Sequence, residues 1–258
     1  MVLTGGRLAT MAIGLPIAIV AAAGCAFSVV GMFARASEQH TSGYDWHGGT
    51  ISVNDSSGSV RIQAVAGSQL SVSYTEHYEL KRPTVSATTT GGGLQLTAKC
   101  PGGLLGNNCE VNYVLSVPAS AALVVHTGSG GLHVIGATGT QTLDTGDGGI
   151  TLENVSGAVT AHTGSGRIHG SQLRSASVQA STGDGGIQVD WATAPTTVVA
   201  TTGSGGVHLV VPRGSGPYRV ATHTGSGGVN VRVATDPQST SSISVQTGDG
   251  GIDVGYPG

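Results

Sequence analysis

Charge is scarce in this chain of 258 residues: 10% of them are Asp, Glu, Lys or Arg, and the formal net charge is -3. The basic residues beyond the N-terminal segment stand singly, apart from Lys81 and Arg82. Without a basic patch or stripe, nucleic acid is excluded as a partner. Aromatics make up only 4% of the chain. There are three cysteines, and neither a Ser-His-Asp spacing nor a strained nucleophile elbow is present. No catalytic residue is therefore assigned, and the chain is not expected to be an enzyme. Glycine is abundant instead, at 44 residues. So much glycine with so few aromatics implies either low complexity or short repeats joined by tight turns.

One long apolar run does occur. Leu8 to Ala34 contains no charged residue over 27 positions, and a helix needs about 20 residues to span the hydrocarbon core. Residues 1–36 are therefore expected to form a single transmembrane anchor, with Pro16 tolerated inside it. Two rivals stay open. Ala34-Arg35-Ala36 fits a small-x-small cleavage site of a long signal peptide, and Ala22-Ala23-Gly24-Cys25 resembles a lipoprotein box. All three place the remainder outside the cytoplasm, as a single-pass, secreted or lipid-anchored protein. Cys100 and Cys109 agree with that compartment. They flank a glycine- and asparagine-rich loop, which suits a disulfide in an oxidising environment, and the loop supplies no further metal ligands.

The second half of the chain repeats Thr-Gly-(Ser/Asp)-Gly-Gly-aliphatic seven times, beginning at Thr127, Thr145, Thr163, Thr182, Thr202, Thr224 and Thr247. One copy departs from it, with Arg167 at the fifth position. Two and four residues before each threonine stand mostly aliphatic side chains, such as Val125 and Leu123. After the glycines come Leu132, Ile150, Ile168, Ile187, Val207, Val229 and Ile252, with a further inward position two residues on. Alternation on both sides of a glycine turn predicts two strands per repeat, each with one buried face. A unit that buries one narrow apolar face must stack on its neighbours. The expected fold is all-β, a parallel β-solenoid with coils of about 20 residues over 119–258. The seven threonines would form one column and hydrogen-bond along it. Residues 37–118 read as degenerate early rungs or a cap. Nothing bulky closes the C-terminal Gly255-Tyr256-Pro257-Gly258, so that end could stack on another copy.

The layout resembles a known family, the putative adhesin domain family, a bacterial domain of unknown function. The matching features are the strand Gly58-Ser59-Val60-Arg61-Ile62, the Cys100-Pro-Gly…Cys109 loop, Val117-Pro118 before the repeats, and the Thr-Gly-Ser/Asp-Gly-Gly copies, over about residues 44–258. The resemblance implies a β-solenoid outside the cytoplasm and carries no activity or catalytic residues with it.

Three chemistries are conceivable on the repeat. His126, Asp144 and His162 would fall on one outward column, and His133, His169, His208 and His223 also flank the motif. Imidazole and carboxylate are usual metal ligands, but a solvated polar ladder explains them equally. Asp147, Asp184 and Asp249 invite calcium, yet the known calcium solenoid repeat is half as long, and Asp is favoured in turns anyway. Arg167 near Asp147 and Asp184 fits a polysaccharide-active groove or a plain surface ion pair. No metal or cofactor is assigned. The expected function is a non-catalytic cell-surface module contacting polysaccharide, cell wall or a surface protein. The alternative is an envelope-stress or signalling accessory acting with a membrane partner.

Overall fold

The computed structural model describes residues 36–79, 81–101 and 108–258. The expected membrane segment lies outside them, and among the described residues no helix is long and apolar enough to cross a membrane. The described chain is all-β. In order it forms β1 (Ala36–Asp45), β2 (Ile51–Asp55), β3 (Val60–Val65), β4 (Gln69–Tyr78), β5 (Thr84–Thr90), β6 (Gly93–Lys99) and β7 (Cys109–Pro118). The repeats follow as strand pairs: β8 (Leu123–Thr127) with β9 (Leu132–Ile135), β10 (Gln141–Thr145) with β11 (Ile150–Glu153), and β12 (Val159–Thr163) with β13 (Ile168–Leu173). Next come β14 (Ser177–Thr182) with β15 (Ile187–Trp191), β16 (Thr197–Thr202) with β17 (Val207–Val210), β18 (Arg219–Ser226) with β19 (Val229–Val231), and β20 (Ser242–Asp249) with β21 (Ile252–Gly255).

Each pair is one rung. Its first strand joins a ten-stranded sheet and its second an eleven-stranded sheet, and the core lies between the two. Equivalent residues stack in register: Leu123 on Gln141, Val159, Val178 and Val198, and Leu132 on Ile150, Ile168, Ile187 and Val207. The alternation read from the sequence is the alternation of burial, because successive side chains in a strand point to opposite faces.

The order of rungs in space is not the order in the chain, and here the structure corrects the sequence reading. The last repeat in sequence, β20/β21, lies between β16/β17 and β18/β19. The segment carrying Gly255 is therefore not the exposed end of the stack. Tyr256 is tied in, its hydroxyl donating to the Ser215 carbonyl and accepting from the Ala234 amide. At the other end β2/β3 stacks directly on β8/β9, and β6/β7 stacks outside it. Two further parallel rungs thus precede the seven repeats, covered by antiparallel β4, β1 and β5. An antiparallel cover closes the sheet edges of that end.

The threonines do form one column, extended by Asp55 and Ala98, which pair in register with Thr127 and with each other. Their hydroxyls do not bond to one another. Each donates to the carbonyl of the fourth-position glycine in the neighbouring rung: Thr145 to Gly130 at 2.8 Å, Thr163 to Gly148 at 2.7 Å, Thr202 to Gly185 at 2.7 Å, Thr247 to Gly205 at 2.9 Å and Thr224 to Gly250 at 2.9 Å. In four rungs the same oxygen also accepts from an amide of its own turn, as Thr163 does from Gly166 at 3.0 Å. One hydroxyl therefore fixes the turn and clasps the next rung.

The β6/β7 rung has alanine at the threonine position and lacks the glycine turn. The Cys100–Cys109 disulfide closes it instead, with a Cα separation of 5.6 Å. A cross-link over nine residues contributes about 2.5–3 kcal/mol on the chain-entropy model. The double variant Cys100→Ser/Cys109→Ser is expected to lose about that much stability in urea titration. A loss under ~1 kcal/mol would show that the rung closes without it.

Candidate binding trough

The three glycines of the motif answer to different causes. A Cβ at the second position would lie 2.2–2.6 Å from the neighbouring rung's carbonyl oxygen, for example 2.2 Å at Gly146 and 2.6 Å at Gly225. At the fourth position the approach is 1.6–2.4 Å, from Gly130 to Gly227. No side chain fits there, since the rungs pack backbone on backbone. The fifth position differs. A Cβ would meet its nearest atom at 3.8 Å on Gly131, 3.2 Å on Gly149, 3.3 Å on Gly186, 3.5 Å on Gly206 and 3.6 Å on Gly251, with nothing within 4 Å at Gly228. None of these six has φ in the left-handed region. Arg167 occupies the same position in its own rung, so the fold itself accepts a side chain there.

What the fifth-position glycines leave is an open trough on the outer face of the eleven-stranded sheet. One part, of about 680 Å³, is lined by Gly186, Gly206, Gly251 and Gly228 with Gln188, His208, Asp253 and Asn230. Another, of about 480 Å³, lies on Gly131 and Gly149 with Arg61, His133 and Thr151. Arg167 stands between them on the same column. The nine-rung face is about 40 Å long at about 4.8 Å per rung, and glycine floors six of those rungs, with Asn112, Ser59 and Arg167 at the fifth position of the other three. The seventh motif position forms its rail. In spatial order the rail reads Val114, Arg61, His133, Thr151, His169, Gln188, His208, Asp253 and Asn230.

The rail is partly knitted together. The His208 ring contacts Asp253 at 2.9 Å, which also accepts from Asn230 and Arg232 at 2.8 Å each, and His133 contacts Glu153 at 2.9 Å. Arg61 and Arg167 make no ion pair among the described residues. In particular Arg167 pairs with neither Asp147 nor Asp184, so the surface-pair reading of that arginine does not hold.

The other predicted groups fall elsewhere. His126 and Asp144 do meet on the outer face of the ten-stranded sheet at 3.7 Å, but His162 turns to Ser181 at 2.9 Å. Asp147, Asp184 and Asp249 are each held by a serine at the same turn position of the adjoining rung, Ser165, Ser204 and Ser226, at 3.2, 3.2 and 2.8 Å. Carboxylates two rungs apart are about 9.6 Å apart, too far to share one calcium ion.

Sequence reasoning missed a cluster under the cap. Glu38, His40 and Glu76 converge within 4.8 Å. Arg82 fills the centre, bonding Glu76 and Glu38 at 2.7 Å each and approaching His40 at 3.2 Å. The Glu76 carboxylate beside it raises the Arg82 pKa further. A guanidinium already neutralises these carboxylates, so the cluster reads as an ion-pair clasp between β1, β4 and the segment after it. Its members lie up to 44 residues apart, and no local pattern announces them.

Several solved structures align with this chain at low identity. A putative adhesin from Bacteroides fragilis aligns over 84% of this chain and 97% of its own, with 14% identity and a TM-score of 0.43. A putative cell adhesion protein from Clostridium sporogenes covers 86% of this chain and 100% of its own, at 13% identity and a TM-score of 0.39. A putative lipid binding protein from Parabacteroides distasonis covers 84% and 96%, at 11% and 0.37. No curated protein matches the sequence. A family model does, over residues 49–257, and with most of its length matched the chain belongs to the Toastrack DUF4097 family.

Proposed function

We propose that this chain is a non-catalytic binding module of the bacterial cell envelope, anchored by residues 1–36 and holding an extended polar polymer, a polysaccharide or cell-wall strand, along the glycine trough. The observation that carries this reading is the fifth motif position. Glycine recurs there six times although backbone conformation demands it at none of them, and at Gly131, Gly206, Gly228 and Gly251 a Cβ has ordinary room. The bare floor is what lets a chain lie against the backbone, with rail residues reaching its polar groups at each rung. A polymer repeating along its length suits a surface repeating along its own.

The test is co-sedimentation of the protein with isolated cell walls and a panel of polysaccharides, comparing wild type with Gly206→Arg. That substitution places in the trough the side chain Arg167 already carries, where a Cβ has 3.5 Å of room. Affinity should fall at least about tenfold, while stability changes by less than ~0.5 kcal/mol, as at other surface positions. Absence of saturable binding to every polymer would sink the reading and favour a protein partner at the membrane.

A further inference from the structure

The two outer faces of the stack differ in charge. On the strands of the eleven-stranded sheet Arg61, Glu110, Glu153, Asp190 and Asp253 alternate with buried residues and point outward. The six central strands of the ten-stranded sheet, β2, β8, β10, β12, β14 and β16, carry one outward charged group, Asp144. The other outward side chains there are Thr, Ser, Val, Gln, Asn and His. Charge returns at the strand ends further out, with Lys99, Arg219 and Asp249. An ordinary soluble surface is about 25–35% charged, and depletion of charge marks the core of an interface. The face is uncovered in the single chain, since His126, Thr160 and His162 are exposed.

We propose that a second copy of this chain covers this face, sheet on sheet, about a two-fold axis running along the strands. The order β18-β20-β16-β14-β12-β10-β8-β2-β6-β5 has its centre between β12 and β10. An axis there lays the two ten-stranded sheets over one another with their strands aligned, as in a sandwich. Asp144 and His162 are register partners on those two central strands, as are Thr142 and Thr160. The rotation exchanges their places, so each Asp144 faces the partner's His162 and each Thr142 the partner's Thr160. Among the described residues Asp144 accepts no hydrogen bond and has only the His126 ring beside it, at 3.7 Å. Its carboxylate is therefore open to a second donor, and the one charged group of the central face meets an imidazole twice per dimer. Small side chains keep the face flat. Ten strands at about 4.8 Å and five residues at about 3.3 Å make it about 48 by 17 Å. Two such faces bury on the order of 1,600 Å² in total, the size of a standard specific interface. An axis along the strands also keeps both copies of Ala36, where β1 begins, at the same end, as the two proposed anchors in one membrane require. An axis across the strands would send them to opposite ends. Both troughs face away from the contact and stay free.

Sedimentation velocity of the full chain in neutral detergent should show a monomer–dimer equilibrium. Thr160→Glu buries a carboxylate beside the axis and should raise Kd at least about tenfold. Its thermal midpoint should hold when measured at a concentration where the wild type is monomeric. Gln188→Glu, the same charge on the opposite face, should leave Kd within about twofold, as a distant site does. His162→Asp sets carboxylate against carboxylate and should also raise Kd at least about tenfold, and adding Asp144→His should restore it to within about threefold, because the swap reinstates both pairs. That rescue separates this contact from any association through the N-terminal segment. A monomer at all concentrations, a dimer indifferent to Thr160→Glu, or a double variant no better than His162→Asp alone would each overturn the proposal.

Discussion

Gly148→Ala is expected to cost the protein about 3–5 kcal/mol, and Gly131→Ala, one rung away in the same motif, almost nothing. At Gly148 the new methyl would sit 1.9 Å from the Gly130 carbonyl oxygen, 2.3 Å from its carbon and 2.9 Å from the Gly131 nitrogen. All three are backbone atoms, so no side chain can swing aside. The rungs must part, and overpacking of this kind costs about 1–3 kcal/mol. The separation also stretches the clasps from Thr145 to Gly130 and from Thr163 to Gly148, now 2.8 and 2.7 Å. Each contributes about 1 kcal/mol, and leaving a buried hydroxyl or carbonyl unpaired costs more. At Gly131 the nearest atom lies at 3.8 Å. Alanine there loses no contact and restricts the unfolded chain, so the change should be within ~0.5 kcal/mol or slightly stabilising. Urea titration of the two variants side by side decides the matter. Equal losses would mean that the fifth-position glycine is structural after all, and the argument for a trough would go with it.

That partition of glycines is invisible to the sequence, where three glycines in one motif look alike. Periodicity reports which residues stack, and it did so here: the threonine column and the inward aliphatics follow from alternation alone. It does not report the order of stacking. The exchange of the last two rungs had nevertheless left a trace. In chain order the third motif position reads Ser129, Asp147, Ser165, Asp184, Ser204, Ser226, Asp249, and its alternation breaks at the sixth copy. In spatial order Asp249 precedes Ser226 and the alternation becomes strict. The physical reason is plain. Adjacent carboxylates at about 4.8 Å repel, while each aspartate between serines gains a hydroxyl donor, as the Ser226–Asp249 bond shows. The longer intervals before the sixth and seventh copies are the links that cross over one another to make the exchange. The clasp of Arg82 with Glu38 and Glu76 had no such trace, because it depends on the antiparallel register of β1 on β4. The rung of Asp55 was hidden for a simpler reason: Asp55-Ser-Ser-Gly-Ser-Val60 keeps the third and fourth motif positions and the aliphatic, with the leading threonine and the second and fifth glycines replaced.

That replacement carries the second large expectation, that Asp55→Thr stabilises the protein at neutral pH by about 2–3 kcal/mol. Asp55 is 2% exposed. One carboxylate oxygen accepts from the Ser57 amide at 3.2 Å, and the other has no partner. By register the acceptor that a threonine here would clasp is the Val111 carbonyl, the neighbour of Gly58 in the outer rung. An ionised carboxylate brings only acceptors to that position, whereas a protonated one can donate as threonine does. Burial pushes its pKa from 3.8 to about 6, with the Ser57 amide opposing and the Glu110 charge adding to the rise. A raised folded-state pKa means that ionisation disfavours the native state. Below about pH 3.8 the group is neutral in both states and costs nothing. Between pH 3.8 and 6 the cost grows, and above pH 6 it is fully present, at most about 3 kcal/mol at 1.36 kcal/mol per pH unit. The gain from Asp55→Thr should therefore be largest at pH 7.5 and shrink to within ~1 kcal/mol at pH 4. Asp55→Asn, which brings an amide donor and does not titrate, should likewise flatten the pH dependence. Urea midpoints of the three proteins at pH 4, 5.5 and 7.5 test this directly. A gain from threonine that is the same at every pH would place the benefit in packing, and no gain at all would mean that Asp55 finds a partner in solution that relieves its charge.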